Sequence, residues 1–147
     1  MSDRMLRRTP VVVRWAVLGA SLVVGACGSK SPTAPTEPTP VPPPGATVAM
    51  VAEGKTLFRQ GSCAQCHGQN GTGGAFGPPL NDSIYLHNSG SFEETIDIIT
   101  TGVPADKLLS PSSFVNFPMF PRGNMLLTDA QLRSVAAYVW TLSHPQG

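Results

Sequence analysis

The chain has 147 residues, ten Lys and Arg against nine Asp and Glu, a formal net charge of +1 and an apolar share of 41%. The charge is unevenly placed: four of the ten basic residues but one of the nine acidic ones precede position 27, so the remainder carries six against eight, net −2. Without a clustered basic surface beyond that leader, nucleic-acid binding is excluded.

Residues 1–26 read as an export signal. Arg4, Arg7, Arg8 and Arg14 precede a 12-residue apolar run at 15–26, the order of a secretory leader. A spanning helix needs about 20 apolar residues, so this run is too short to cross a bilayer, and Arg14 blocks its extension back through Val11, Val12 and Val13. The run ends in Val24-Gly25-Ala26-Cys27, which resembles a bacterial lipobox. Cleavage before Cys27 would leave that cysteine as the lipid-attachment residue, and several acyl chains on one cysteine hold a protein to a membrane without a spanning helix. An exported chain attached at the periplasmic side is expected.

Residues 27–47 form the lipidated cysteine and a linker. Seven prolines fall between Pro32 and Pro44, interleaved with Ser, Thr and Ala, a composition that favours extended polyproline II. At about 3.1 Å per residue, positions 28–47 would reach roughly 60 Å.

The third segment, 48–147, is one small domain. Positions 48–60 place Val51, Leu57 and Phe58 among good helix formers and stop at Gly61, which predicts a first helix. Cys63-Ala64-Gln65-Cys66-His67 follows at once. This is the C-x-x-C-H run of covalent haem attachment: the two thiols add to the two vinyl groups, and the adjacent histidine binds iron. A structural zinc site would want a second ligand pair, and a thioredoxin-like redox pair would want alternating strands and helices. Neither is supported. With Cys27 taking lipid and Cys63 with Cys66 taking one haem c, no thiol remains for a disulfide.

Ser91-Phe92-Glu93-Glu94 reads as a capping box in which the Ser91 hydroxyl and Glu94 serve the free amides of a first turn. It opens a helix through Ile96, Ile98 and Ile99 that ends at Gly102. Thr128-Asp129-Ala130-Gln131 is a second capping box, followed by Leu132, Val135, Ala136, Val139 and Leu142 at helical spacing. The long Gly- and Pro-rich stretches 68–90 and 103–127 need something to wrap. The fold class predicted is all-α, about three helices around one covalent haem.

Over residues 50–144 the chain resembles class I cytochromes c. Gly54, Phe58, the motif from Cys63 to His67, Gly68, Gly71, Gly73, Pro78, Leu80, Met119, Leu127-Thr128-Asp129 and Tyr138 keep that family's order and spacing. The resemblance implies that the first and last helices cross closely, with Gly54 and Tyr138 at the contact. It implies that the Pro78 carbonyl receives the second nitrogen of His67, fixing the ring and raising its basicity. Met119, eight residues before Leu127, matches the axial methionine, though with Pro118 before it and Phe120 after it where the family often has proline after. Among the other candidates for the sixth ligand, Met125 stands too near the last helix and Met50 too early in the chain; His87, in the right half of the chain, is the competitor to Met119 although it reads first as a surface-loop histidine, and His144 meets the carbonyls that end the last helix.

With His67 and Met119 on iron no site is left for substrate, so the expected function is one-electron transfer between redox protein partners. Two alternatives stand beside it: a haem enzyme or gas sensor with an open sixth position, and a fixed subunit of a larger oxidase or dehydrogenase complex. The glycines at 71–77 match neither G-x-G-x-x-G nor the P-loop.

Overall fold

The computed structural model describes residues 39–109 and 117–144. Cys27, the signal and most of the linker lie outside the described residues.

Among the described residues four α-helices carry the fold: α1 Val48–Gln60, α2 Ser62–His67, α3 Phe92–Thr101 and α4 Asp129–Ser143. Short 3-10 turns sit at Ala105–Lys107 and Pro121–Asn124. Among the described residues there is no strand, only an isolated antiparallel bridge between Val103 and Met119. Three of the helices are the ones expected from their caps and periodicity. The fourth, α2, is a six-residue helix over the cysteine motif itself, too short to show a periodicity.

The caps explain where the helices start. The Thr47 hydroxyl accepts from the Met50 amide at 3.2 Å and opens α1. At α4 the capping box is complete, with the Thr128 hydroxyl accepting from the Gln131 amide and the Gln131 side-chain oxygen accepting from the Thr128 amide. At α3 only half of the expected box forms. The Ser91 hydroxyl takes the Glu94 amide, but the Glu94 carboxylate reaches past Ser91 to the Ser89 amide at 2.7 Å and to the Ser89 hydroxyl. These two bonds hold the Glu94 carboxyl below its ordinary value.

The first and last helices cross at Gly54. A Cβ there would lie 1.8 Å from the Ser134 carbonyl oxygen and 3.0 Å from Tyr138 Cβ, so only glycine lets the two backbones approach. One turn on, Phe58 and Tyr138 meet edge to face at 5.3 Å, a favoured aromatic geometry. The buried Ser134 hydroxyl donates to Glu53 at 2.7 Å. Val51, Phe58, Leu132, Val135, Ala136, Ala137 and Tyr138 form the core with Phe92 and Ile99 of α3. Arg133 reaches from α4 over the Phe92 ring, 5.3 Å from its centroid. The packed head also reaches back beyond Val48: Pro43 is fully buried and Ala46 packs on the core.

Candidate haem site

Gly61 ends α1 in an extended conformation, and α2 begins one residue later. The Met125 sulfur covers Gly61, 2.2 Å from where a Cβ would stand, and the Ser62 hydroxyl donates to the Gly123 carbonyl. This junction sets the orientation of α2. On its single turn and a half α2 then presents Cys63, Cys66 and His67 to one cavity of about 380 Å³, within the range of small-ligand and cofactor sites. The walls are mainly apolar, including Phe58, Leu80, Ile98, Ile99, Val103, Val135 and Val139.

The loop after α2 folds back on itself through its own backbone. Gly73 donates to the His67 carbonyl at 2.8 Å, Gly74 to Gly77 at 3.0 Å and Leu80 to Gly71 at 2.7 Å. Arg59 ties the loop to α1, donating to the Gln69 carbonyl at 3.3 Å and to the Asn70 side chain at 2.8 Å. The loop thereby delivers Pro78 to His67: Nδ1–H of His67 donates to the Pro78 carbonyl at 2.9 Å. That bond assigns the tautomer and leaves Nε2 unprotonated, the form a metal needs. Gly77 permits the approach, since a Cβ on it would stand 2.9 Å from His67 Nδ1. Burial lowers the imidazole below its ordinary value, opposed by the Pro78 bond, and burial pushes the Cys63 thiol up to about 11.

Met119 lines the same cavity. Its amide donates to Val103 at 3.0 Å and its carbonyl accepts from the Val103 amide at 2.8 Å. Gly102, at φ +70, ends α3 and lets the Met119 segment pass: a Cβ there would meet the Met119 carbonyl oxygen at 2.2 Å. Of the five candidates for a sixth ligand, Met119 and His87 line the cavity, and Met50, Met125 and His144 do not. His87 is exposed. Met125 covers Gly61, and Nδ1 of His144 donates to the Trp140 carbonyl at 2.9 Å with its ring stacked on Trp140. Sequence reasoning missed the Val103 bridge and the Arg59 tie. A two-residue bridge leaves no alternating pattern, and a lone arginine on an exposed helix face reads as solvated.

Two thiols and an imidazole on one short helix, facing a largely apolar cavity with a thioether in its wall, fit a haem. Among the described residues no group of three or more His, Cys, Asp or Glu is placed to hold a metal ion without it. The cytochrome c family profile matches residues 51–143. The chain belongs to the cytochrome c family. Its cofactor is haem c, and Cys63 and Cys66 fit the attachment site. Over 93 residues the chain is 37% identical to a cbb3-type cytochrome c oxidase subunit, CcoP, of Cereibacter sphaeroides. That match covers 62% of this chain and 27% of the oxidase subunit, so the chain spans about a quarter of that relative's length. No solved structure matches. Among the described residues no helix is long and apolar enough to cross a membrane. The match of this domain supports haem electron transfer.

Proposed function

We propose that this cytochrome is tethered through lipid on Cys27, holds iron between His67 and Met119, and ferries single electrons between redox proteins on the periplasmic side. One observation carries the reading. His67 and Met119 line the same cavity, and each is fixed from a separate segment, His67 by the Pro78 carbonyl and Met119 by the Val103 bridge.

Bound haem supplies a one-electron Fe(II)/Fe(III) couple, and a thioether ligand raises its potential relative to two imidazoles. The protein's part is to hold both ligands still and to keep water out. The Pro78 bond fixes the imidazole plane and makes the ring a stronger donor. The Val103 bridge keeps the methionine backbone in register, so that oxidation and reduction proceed with little movement. Phe58, Ile99 and Val135, each nearly fully buried, give the walls low polarity. The proline-rich segment before Pro43, which is packed into the head, then sets how far the head travels from its lipid.

The likeness to an oxidase subunit favours a second reading, in which the same domain is a fixed electron-transfer subunit of a terminal oxidase. Both readings need a six-coordinate iron. Exposure of the ferrous protein to carbon monoxide tests this: the spectrum stays unchanged if both ligands hold. Ready formation of a carbonyl complex overturns it in favour of a haem enzyme or gas sensor with an open position.

A further inference from the structure

Among the described residues, Arg122 at φ 55 and Asn124 at φ 58 are the two non-glycine residues with a left-handed backbone, and Gly123 between them stands at φ 59. That conformation crowds Cβ against the following carbonyl, so it is disfavoured for a residue with a side chain, less for Asn than for Arg. Such residues persist only where their surroundings fix them. The turn begins three residues after Met119, and Gly123 and Asn124 belong to the haem-cavity wall.

The surroundings do fix it. Inside the turn the Gly123 amide donates to the Phe120 carbonyl at 2.9 Å and the Met125 amide to the Arg122 carbonyl at 3.1 Å. The Gly123 carbonyl accepts from the hydroxyl of Ser62, the first residue of α2, and a Cβ on Gly123 would stand 3.7 Å from Cys63 Sγ. The Arg122 guanidinium donates to the Leu127 carbonyl at 2.7 Å and to Asp129 at 2.6 Å. Leu127 and Asp129 flank Thr128, the cap of α4. The segment after Met119 is thereby closed onto α2, the helix of His67, and onto the start of α4. Of the two Arg122 bonds the ion pair is the weaker hold, because the Asp129 side chain is 91% exposed and solvent screens such a pair. The bond to the Leu127 carbonyl comes from a charged donor whose side chain is 32% exposed, which makes it the stronger one.

We infer that Arg122 and Ser62 are positioning residues for Met119: they lock the left-handed turn that follows it and so keep its sulfur on ferric iron. This rests on the ligation by His67 and Met119 proposed above and adds what holds the methionine in place. Thioether sulfur stabilises ferrous iron, so the ferric state is the one from which Met119 departs more readily and in which a lock matters. An added base reaches the iron only when Met119 has left, and its apparent affinity scales with the fraction of protein in that open form. Loss of a locking bond raises that fraction.

The probe is imidazole, titrated into the ferric, haem-loaded full chain in non-ionic detergent and followed by loss of the methionine-to-iron absorption. Arg122→Gln is expected to bind imidazole about tenfold more tightly than the unsubstituted protein, the effect of one hydrogen bond from a charged donor. Ser62→Ala should tighten binding in the same direction. Asp129→Asn leaves the Leu127 bond in place and should change the affinity less than about twofold. Arg122→Gly separates the lock from the fold: glycine takes the left-handed backbone without steric cost, so Tm should stay near that of the unsubstituted protein while imidazole binding tightens as in Arg122→Gln. Arg133→Gln is the control on α4. It removes the pair with Glu93 at 3.5 Å and the contact over Phe92, touches nothing in the methionine segment, and should leave the imidazole affinity unchanged. An affinity unchanged in both Arg122 variants, or raised equally in Arg133→Gln, would overturn the proposal. Failure of the ligation reading looks different: the unsubstituted ferric protein would lack the methionine absorption and bind imidazole as tightly as the variants.

Discussion

Replacement of Gly54 by alanine tests the contact on which the haem cavity is built. The new methyl group would stand 1.8 Å from the Ser134 carbonyl oxygen and 2.4 Å from its carbon. These are backbone atoms within α4 and cannot rotate away, so α1 and α4 must part by about 1.6 Å to restore an ordinary contact of 3.4 Å. Overpacking of this kind costs about 1–3 kcal/mol. Separation also weakens the edge contact of Phe58 with Tyr138, worth about 1 kcal/mol, and the hydrogen bond from Ser134 to Glu53, worth about 1–2 kcal/mol. Alanine returns about 1 kcal/mol of helix propensity. The net loss is about 2–5 kcal/mol, or a fall in Tm of roughly 10–40 °C for a head of this size. Thermal unfolding of the haem-loaded protein, followed by circular dichroism and by the haem band, measures it. Because Phe58, Val135 and Val139 are cavity walls, both signals should shift together. A Gly54→Ala protein as stable as the original, or more stable by the propensity gain, would refute the close crossing.

Gly102→Ala combines a positive-φ backbone at φ 70, ψ −172 that is essentially confined to glycine, costing about 1–3 kcal/mol for a residue with a side chain, with a Cβ 2.2 Å from the Met119 carbonyl oxygen. It should lower Tm and push Met119 off iron, seen as loss of the methionine-to-iron absorption in the ferric protein while covalent haem is retained. Cys27→Ser should release the head from the membrane fraction into the soluble one on cell fractionation, with its haem spectrum unchanged; retention in the membrane would disprove the lipid tether.

Much of this fold could be read from local signals because its helices are framed by short-range chemistry. Thr128 with Gln131, Ser91 and Gly102 mark helix ends through contacts within a few residues, and the sequence displays such contacts directly. The cysteine motif likewise declares its chemistry in five residues. What could not be read depends on segments far apart in the chain. Glu94 bypasses Ser91 because the loop before α3 turns Ser89 into reach. Met119 is pinned by Val103, across a segment with no repeating pattern. Pro43 has the composition of a linker, and its burial depends on where the core places its neighbours. Gly54 was recognisable as a crossing glycine through family likeness, but the partner it makes room for is the Ser134 backbone, with Tyr138 beside it.

The central claim is that iron sits between His67 and Met119. The most direct test is the ferric absorption spectrum of the haem-loaded protein and of Met119→Ala, in the weak red band that arises from methionine sulfur bound to iron. The account predicts the band in the unsubstituted protein and its disappearance in the variant, with thioether-linked haem intact in both. A band that persists in Met119→Ala, or that is missing from the unsubstituted protein, would contradict it.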